Sequence, residues 1–234
     1  MTISTSPTSS SSPLLAERLA TVREGIADAA RAVGRDPGEL TTIVVTKFHP
    51  ASLVRELASL GVTDVGENRH QEAQAKAAEL SALGLTWHFV GQLQSKKARQ
   101  VRAYADVIHS VNRLSLVDAL RSDEKDVDCF VQLNLTPDPA RGGVADRDLE
   151  PLVEHVLDTP GLRLLGVMAV APIDEEPRRA FARVRAASER VASLQPTATA
   201  ISAGMSQDFP AAIAEGATHL RIGTAITGNR PAHG

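Results

Sequence analysis

From residue 42 onward the chain repeats one pattern eight times: a short aliphatic or β-branched run, a turn, then a segment with helical spacing. The runs predict strands over 42–47, 63–65, 86–90, 106–109, 127–135, 162–168, 198–201 and 219–222. The segments between them predict helices over 51–60, 71–83, 95–103, 113–121, 146–157, 177–194 and 208–215. Parallel strands need such crossovers. Eight strands alternating with helices, in units of roughly 20–30 residues, are the pattern of a single (β/α)8 TIM barrel. A doubly wound open sheet is the alternative. It usually has fewer strands and a glycine-rich first turn, and no G-x-G-x-x-G follows the first strand here. Before that strand, Ser12-Pro13 reads as an N-cap with proline at the first helical position. Leu15, Leu19, Val22, Ile26, Ala29 and Val33 follow at helical spacing. This extra N-terminal helix could fill the gap left by a short last helix.

Length fits that reading, since 234 residues suit one domain of barrel size. Hydrophobic residues make up 43% of the chain but aromatics only 3%, so the core must be built from Ala, Val, Leu and Ile. A net charge of -3 gives no electrostatic reason to expect nucleic acid or an anionic membrane as partner. No apolar run reaches membrane-spanning length. The single cysteine, Cys129, excludes an internal disulfide framework and fits a reducing cytoplasm. Residues 1–12 are Ser/Thr-rich, without a basic or an apolar signal region, and are expected to be a disordered tail before a barrel domain over 13–234.

In a barrel the C-terminal strand ends converge on one face, which holds the site. The polar residues expected there are Lys47, Asn68, His88, Ser110, Asn134, Ser202 to Ser206 and Arg221 to Thr224, with Met168. Lys47 ends the first strand. A desolvated lysine there is suited to Schiff-base chemistry, and an ordinary snorkelling lysine is the alternative. After strands seven and eight, Ser202-Ala203-Gly204-Met205-Ser206 and Arg221-Ile222-Gly223-Thr224 lead into helices. Barrels bind phosphate at that place, with backbone N–H groups at a helix start. Ser206 and Thr224 would add hydroxyls and Gly223 a close backbone approach. Two ordinary capped turns are the alternative. A Schiff-base lysine on strand one with a phosphate cup at strands seven and eight is the layout expected for pyridoxal 5'-phosphate (PLP).

The chain resembles the PLP homeostasis protein family, the YggS/PROSC-type PLP-binding proteins, which look like the barrel domain of alanine racemase standing alone. The resemblance runs from the first helix to the C-terminus. It is carried by Val44-Val45-Thr46-Lys47, Gly66-Glu67-Asn68-Arg69-His70-Gln71-Glu72, Trp87-His88-Phe89-Val90-Gly91-Gln92-Leu93-Gln94-Ser95-Lys96-Lys97 and His109-Ser110-Val111-Asn112-Arg113. Gly166-Val167-Met168, Ser202-Ala203-Gly204-Met205-Ser206-Gln207-Asp208 and Arg221-Ile222-Gly223-Thr224-Ala225-Ile226-Thr227-Gly228 complete it. The resemblance implies that Lys47 forms the Schiff base with PLP and that Ser206, Gly223 and Thr224 hold the phosphate. It places Arg221 at the pyridine nitrogen, Asn68 and Met205 along the cofactor, and His88 and Ser110 on neighbouring strand ends. Phe48-His49, Ala203 and Asn112 depart from the family pattern.

The function implied is a non-catalytic carrier or buffer of PLP that supplies PLP-dependent apoenzymes, as a cytoplasmic monomer. The alternative is a PLP enzyme acting at the amino-acid α-carbon, such as a racemase. Arg221 argues against it, because a permanent cation opposes protonation of the pyridine nitrogen. So does the tyrosine count: Tyr104 is the one tyrosine, expected near a helix end beside strand four, and no second domain is expected to add another. The basic segment 95–102 reads as a solvated helix face, since no aromatics interleave to stack bases. His88 and His109 have no cysteine or carboxylate partners at ligand spacing and read as satisfied core histidines rather than metal ligands.

Overall fold

A computed structural model describes residues 12–229. All of the expected tail except Ser12, and residues 230–234, lie outside the described residues. The remainder forms a closed barrel of eight parallel strands in sequence order. The strands are β1 Thr41–Val45, β2 Asp64–Glu67, β3 Thr86–Phe89, β4 Val107–Val111, β5 Val127–Gln132, β6 Leu162–Met168, β7 Ala200–Ser202 and β8 His219–Ile222. The helices are α1 Pro13–Ala32, α2 Ala51–Ser59, α3 His70–Glu79, α4 Ala98–Arg102, α5 Leu114–Leu120, α6 Leu149–Leu157, α7 Pro177–Leu194, α8 Phe209–Ala214 and α9 Thr224–Thr227. The barrel closes where β8 pairs with β1, with Ile43 opposite Arg221 and Val44 opposite Ile222. α9 is a single turn, and α1 packs against both α8 and α9, covering the flank that the short last helix leaves open.

Local chemistry explains where the elements differ from the sequence reading. β1 stops at Val45, and Lys47 lies in the following turn rather than on the strand. β5 ends at Gln132 instead of 135, because the Asn134 side-chain oxygen accepts from the Thr136 N–H and turns the chain. β6, not β5, is therefore the longest strand. The basic helix expected over 95–103 opens as a 3-10 turn, Ser95–Lys97, before α4. Ser12 makes no side-chain cap; Pro13 alone marks the start of α1.

Side chains alternate across the barrel wall. Val44, Val65, Ile108 and Ile222 face outward into an aliphatic layer shared with the helices. The interior is different. Val107, Phe130 and Met168 form a small separate apolar cluster, and His109 stacks on Phe130 with ring centroids 4.6 Å apart. Beside them runs a polar column. His88 Nε2 lies 2.9 Å from Asp64 Oδ1, His88 Nδ1 lies 2.9 Å from His109 Nε2, and His109 Nδ1 lies 2.8 Å from Ser202 Oγ. The two histidines are core residues with both ring nitrogens satisfied.

Burial holds His109 well below the ordinary histidine value, and the nearby His88, Arg221 and His219 act in the same direction. Burial, then His88, lowers His219 to about 4. Both are bases whose folded pKa lies below the unfolded one. The unfolded chain therefore takes up their protons first as pH falls, and their contribution, complete above about pH 6.5, is lost below it. Thermal unfolding from about pH 7 to pH 5 should show a falling midpoint, with a slope approaching about 1.4 kcal/mol per pH unit for each histidine. A flat midpoint across that range would contradict buried neutral histidines.

Candidate functional site

The C-terminal ends of β1, β7 and β8, with the loops after β2 and β6, enclose a cavity of about 570 Å³. Its walls include Lys47, Asn68, Met205, Ser206, Arg221, Gly223 and Thr224, so all seven residues singled out for a cofactor meet in one place. His88, Ser110, Asn134 and Met168 do not line it. His88 belongs to the interior column, and Asn134 turns its amide onto the Asp138 carbonyl. The β6–α7 loop, which the sequence reading did not assign to the site, contributes Val170, Ala171, Pro172, Ile173 and Glu175. Ile173 is 90% exposed, an unusual position for a large apolar side chain, and stands at the mouth with the exposed Val170 and Met205. An apolar loop residue carries no periodicity that a sequence could reveal.

Two close backbone approaches shape the walls. A Cβ on Gly91 would lie 2.1 Å from the Asn68 carbonyl oxygen, so the Asn68 loop can settle there only against glycine. Gly204 has φ +91°, and a Cβ there would lie 2.8 Å from Ala212 Cβ, which fixes the turn that presents Met205 and Ser206. Gly223 caps α9, whose first intrahelical donor is the Ile226 N–H. The preceding N–H groups belong to the orphan set at a helix start. Asn68 Oδ1 is buried and has no partner.

Arg221 is 5% exposed. Its Nη1 donates to Ser202 Oγ at 2.6 Å and its Nη2 to the Ala169 carbonyl at 2.8 Å. Burial lowers its pKa to about 10, against the opposing charge of Asp208, so it stays a cation at neutral pH. Lys47 is exposed rather than desolvated, so burial is not what distinguishes it. A guanidinium, an amine, two hydroxyls and a helix start form a donor-rich lining. That lining fits a phosphorylated aldehyde with a ring nitrogen, and the unpaired Asn68 oxygen leaves one acceptor for it.

The loop carrying Lys47 is gripped from α3 on both sides. Lys76 Nζ donates to the Thr46 carbonyl at 2.9 Å and to Glu67 Oε1 at 2.6 Å, and Thr46 Oγ1 donates to the same oxygen at 2.7 Å. Beyond Lys47, the Phe48 N–H donates to Glu72 Oε2 at 3.1 Å, and Arg69 lies 4.7 Å over the Phe48 ring. Phe48 has φ +68°, the one non-glycine in the left-handed region among the described residues. A phenylalanine holds that conformation only where its surroundings impose it. Burial pushes the Glu67 carboxyl up, against the hydrogen bond and charge of Lys76. The sequence reading missed this clamp, because Lys76 sits mid-helix and looks like a surface lysine. Lys76→Met should lower the unfolding free energy by about 3–5 kcal/mol, since it strands a buried carboxylate. Lys76→Met with Glu67→Gln should recover part of that loss. Urea denaturation reads both, and a single variant within about 0.5 kcal/mol of wild type would contradict a clamp.

A profile of the alanine racemase N-terminal domain matches residues 19–231. The chain is 41% identical over 223 residues to the pyridoxal phosphate homeostasis protein of Pseudomonas aeruginosa, an alignment covering 92% of this chain and 96% of that one. It is similar to the structure of PipY from Synechococcus elongatus PCC7942 with PLP bound, at TM-score 0.79 and 35% identity, over 92% of this chain and 100% of that one. An alanine racemase from Corynebacterium glutamicum shares the fold at TM-score 0.69 and 14% identity, over 92% of this chain and 63% of its own. With the eight-stranded closed barrel and this extent of similarity, the chain belongs to the family of pyridoxal phosphate homeostasis proteins.

Proposed function

We propose that this protein binds PLP in the cavity at the β1/β8 face and serves as a carrier and buffer of the cofactor for PLP-dependent apoenzymes. The observation that carries the reading is the meeting of an amine, a buried guanidinium, two hydroxyl side chains and a helix start in one cavity. When bound, PLP supplies an aldehyde that couples reversibly to an amine and a ring that can withdraw electrons. Lys47 is the covalent anchor. Ser206, Thr224 and the backbone at Gly223 hold the phosphate at the start of α9. Arg221 faces the pyridine nitrogen, and Asn68 and Met205 line the flanks. The cofactor-holding unit is the barrel domain, whose described part runs over residues 13–229.

Arg221 also supports carriage over catalysis. A cation beside the pyridine nitrogen opposes its protonation, and an unprotonated ring stabilises carbanions poorly. A racemase acting on both faces of the α-carbon needs a second base. Tyr104, the one tyrosine, is outside the cavity, with its ring stacked on His70 at 5.9 Å. Burial, and then the charge of Glu67, pushes its hydroxyl well above the ordinary tyrosine value, which keeps it protonated and leaves no phenolate to act as a base. Closure of the sheet removes the strand edges through which copies of a chain often pair, which favours a monomer. The buried free thiol of Cys129 suits a reducing cytoplasm.

The visible spectrum of the purified protein tests the anchor. A yellow band that borohydride abolishes, and that Lys47→Ala cannot form, is the expected result. A protein that stays colourless after incubation with PLP would overturn the cofactor reading. Incubation of the loaded protein with single L-amino acids in deuterated water tests the carrier reading. Deuterium at the α-carbon is expected to stay below one equivalent per protein, and many turnovers would identify an enzyme instead.

A further inference from the structure

Among the described residues, Arg221 has no carboxylate in direct contact, although it is a buried cation. Asp208 acts on it only at longer range. A guanidinium can only donate hydrogen bonds. Ser202 Oγ, at 2.6 Å from Nη1, therefore accepts from Arg221 and has its own hydrogen to place. His109 Nδ1, 2.8 Å away, is the acceptor that the structure offers. That leaves Nδ1 of His109 bare and puts its proton on Nε2. The Nε2–H in turn meets His88 Nδ1 at 2.9 Å, so His88 also carries its proton on Nε2. His88 Nε2–H then donates to Asp64 Oδ1 at 2.9 Å, and the other oxygen of Asp64 accepts from Thr63 Oγ1 at 2.6 Å.

Every donor in this series has an acceptor, and all four bonds run the same way, from guanidinium to carboxylate. The competing arrangement places an imidazolium at His88. It would leave the Ser202 hydrogen without an acceptor and add a second buried cation within two side chains of the first. Burial raises Asp64, but the hydrogen bonds from His88 and Thr63 outweigh it and hold the carboxyl below its ordinary value, as an anionic terminus requires. His219 lies beside the column, 6.5 Å from His109 ring to ring, and takes no part in it.

We infer that Asp64, His88, His109 and Ser202 form a proton-ordered column that fixes the orientation of Arg221 and supplies its counter-charge from the opposite end of the barrel. Asp64 opens β2 at the N-terminal face, whereas the cavity lies at the C-terminal face. Asp64 is thus a positioning residue acting through four hydrogen bonds, and it sets how firmly Arg221 presents its remaining donors to the cavity. What those donors meet there, the ring nitrogen of PLP, rests on the function proposed above.

Long-range proton–nitrogen NMR of the wild-type protein without cofactor reads the first half of this directly. Both His88 and His109 are expected as neutral Nε2–H tautomers at neutral pH. An Nδ1–H ring at either position, or an imidazolium at His88, would overturn the column. Asp64→Asn tests the second half, because the amide oxygen can keep the hydrogen bond while the charge is lost. PLP release from this variant is expected to be faster by about five-fold, because the counter-charge that holds Arg221 is lost, with a shifted absorption band. Asp128→Asn is the control: Asp128 lies near the same barrel end but pairs with Arg163 outside the column. Release rates equal in Asp64→Asn and Asp128→Asn would overturn the positioning role. Failure of the wild type to take up PLP would instead count against the function proposed above, since the tautomers are read without it.

Discussion

The pairing of β8 with β1 is the contact on which the site depends. Eight parallel strands shed their edges only by closing, and closure here sets Ile43 against Arg221 and Val44 against Ile222. The amine that follows β1 and the helix start that follows β8 become neighbours through that seam, although the sequence separates Lys47 from Gly223 by most of the chain. A Cβ on Gly223 would sit 3.7 Å from Val45 Cβ, ordinary contact distance, so the two strand ends are packed together. α1 guards the same flank by lying over α8 and α9.

Two connected clusters of buried polar groups stand behind the cavity of this aliphatic protein. One is the column that ends on Arg221; the other is the Lys76–Glu67–Thr46 grip on the loop that carries Lys47. A low-dielectric surrounding makes each bond stronger and each unpaired group costlier, so such clusters hold one geometry firmly or fail together. Buried ion pairs contribute little net stability compared with apolar packing. Their contribution here is to direction: one cluster aims a guanidinium, the other holds the backbone on either side of a lysine. Apart from Arg221 itself, both act on the cavity from behind its wall, without lining it.

Much of this architecture was legible in the chain. β6, β8 and α7 fall on the residues that periodicity indicated, because long regular segments bounded by Gly or Pro leave little choice. The seven residues that meet in the cavity stand among the strand ends that a barrel brings together, and the resemblance to the PLP homeostasis family singled them out from that wider set. The interior column could not be assembled, since its members come from β2, β3, β4, β7 and β8, and its order exists only at the level of single protons. The left-handed Phe48 was equally hidden, because it is imposed by Glu72 and Arg69 across a loop. Asn134 misled by its side chain, which ended a strand that the apolar run alone would have continued.

The seam has a consequence in time as well as space. Lys47 leaves the ribosome early, just behind the first strand, while Arg221, Gly223 and Thr224 arrive on and just behind the last. A nascent chain lacking β8 therefore exposes the amine with neither the helix start nor the guanidinium that share its cavity, and the sheet around it is still open. The cavity is thus a property of the finished chain, and synthesis itself decides when the amine first stands in one.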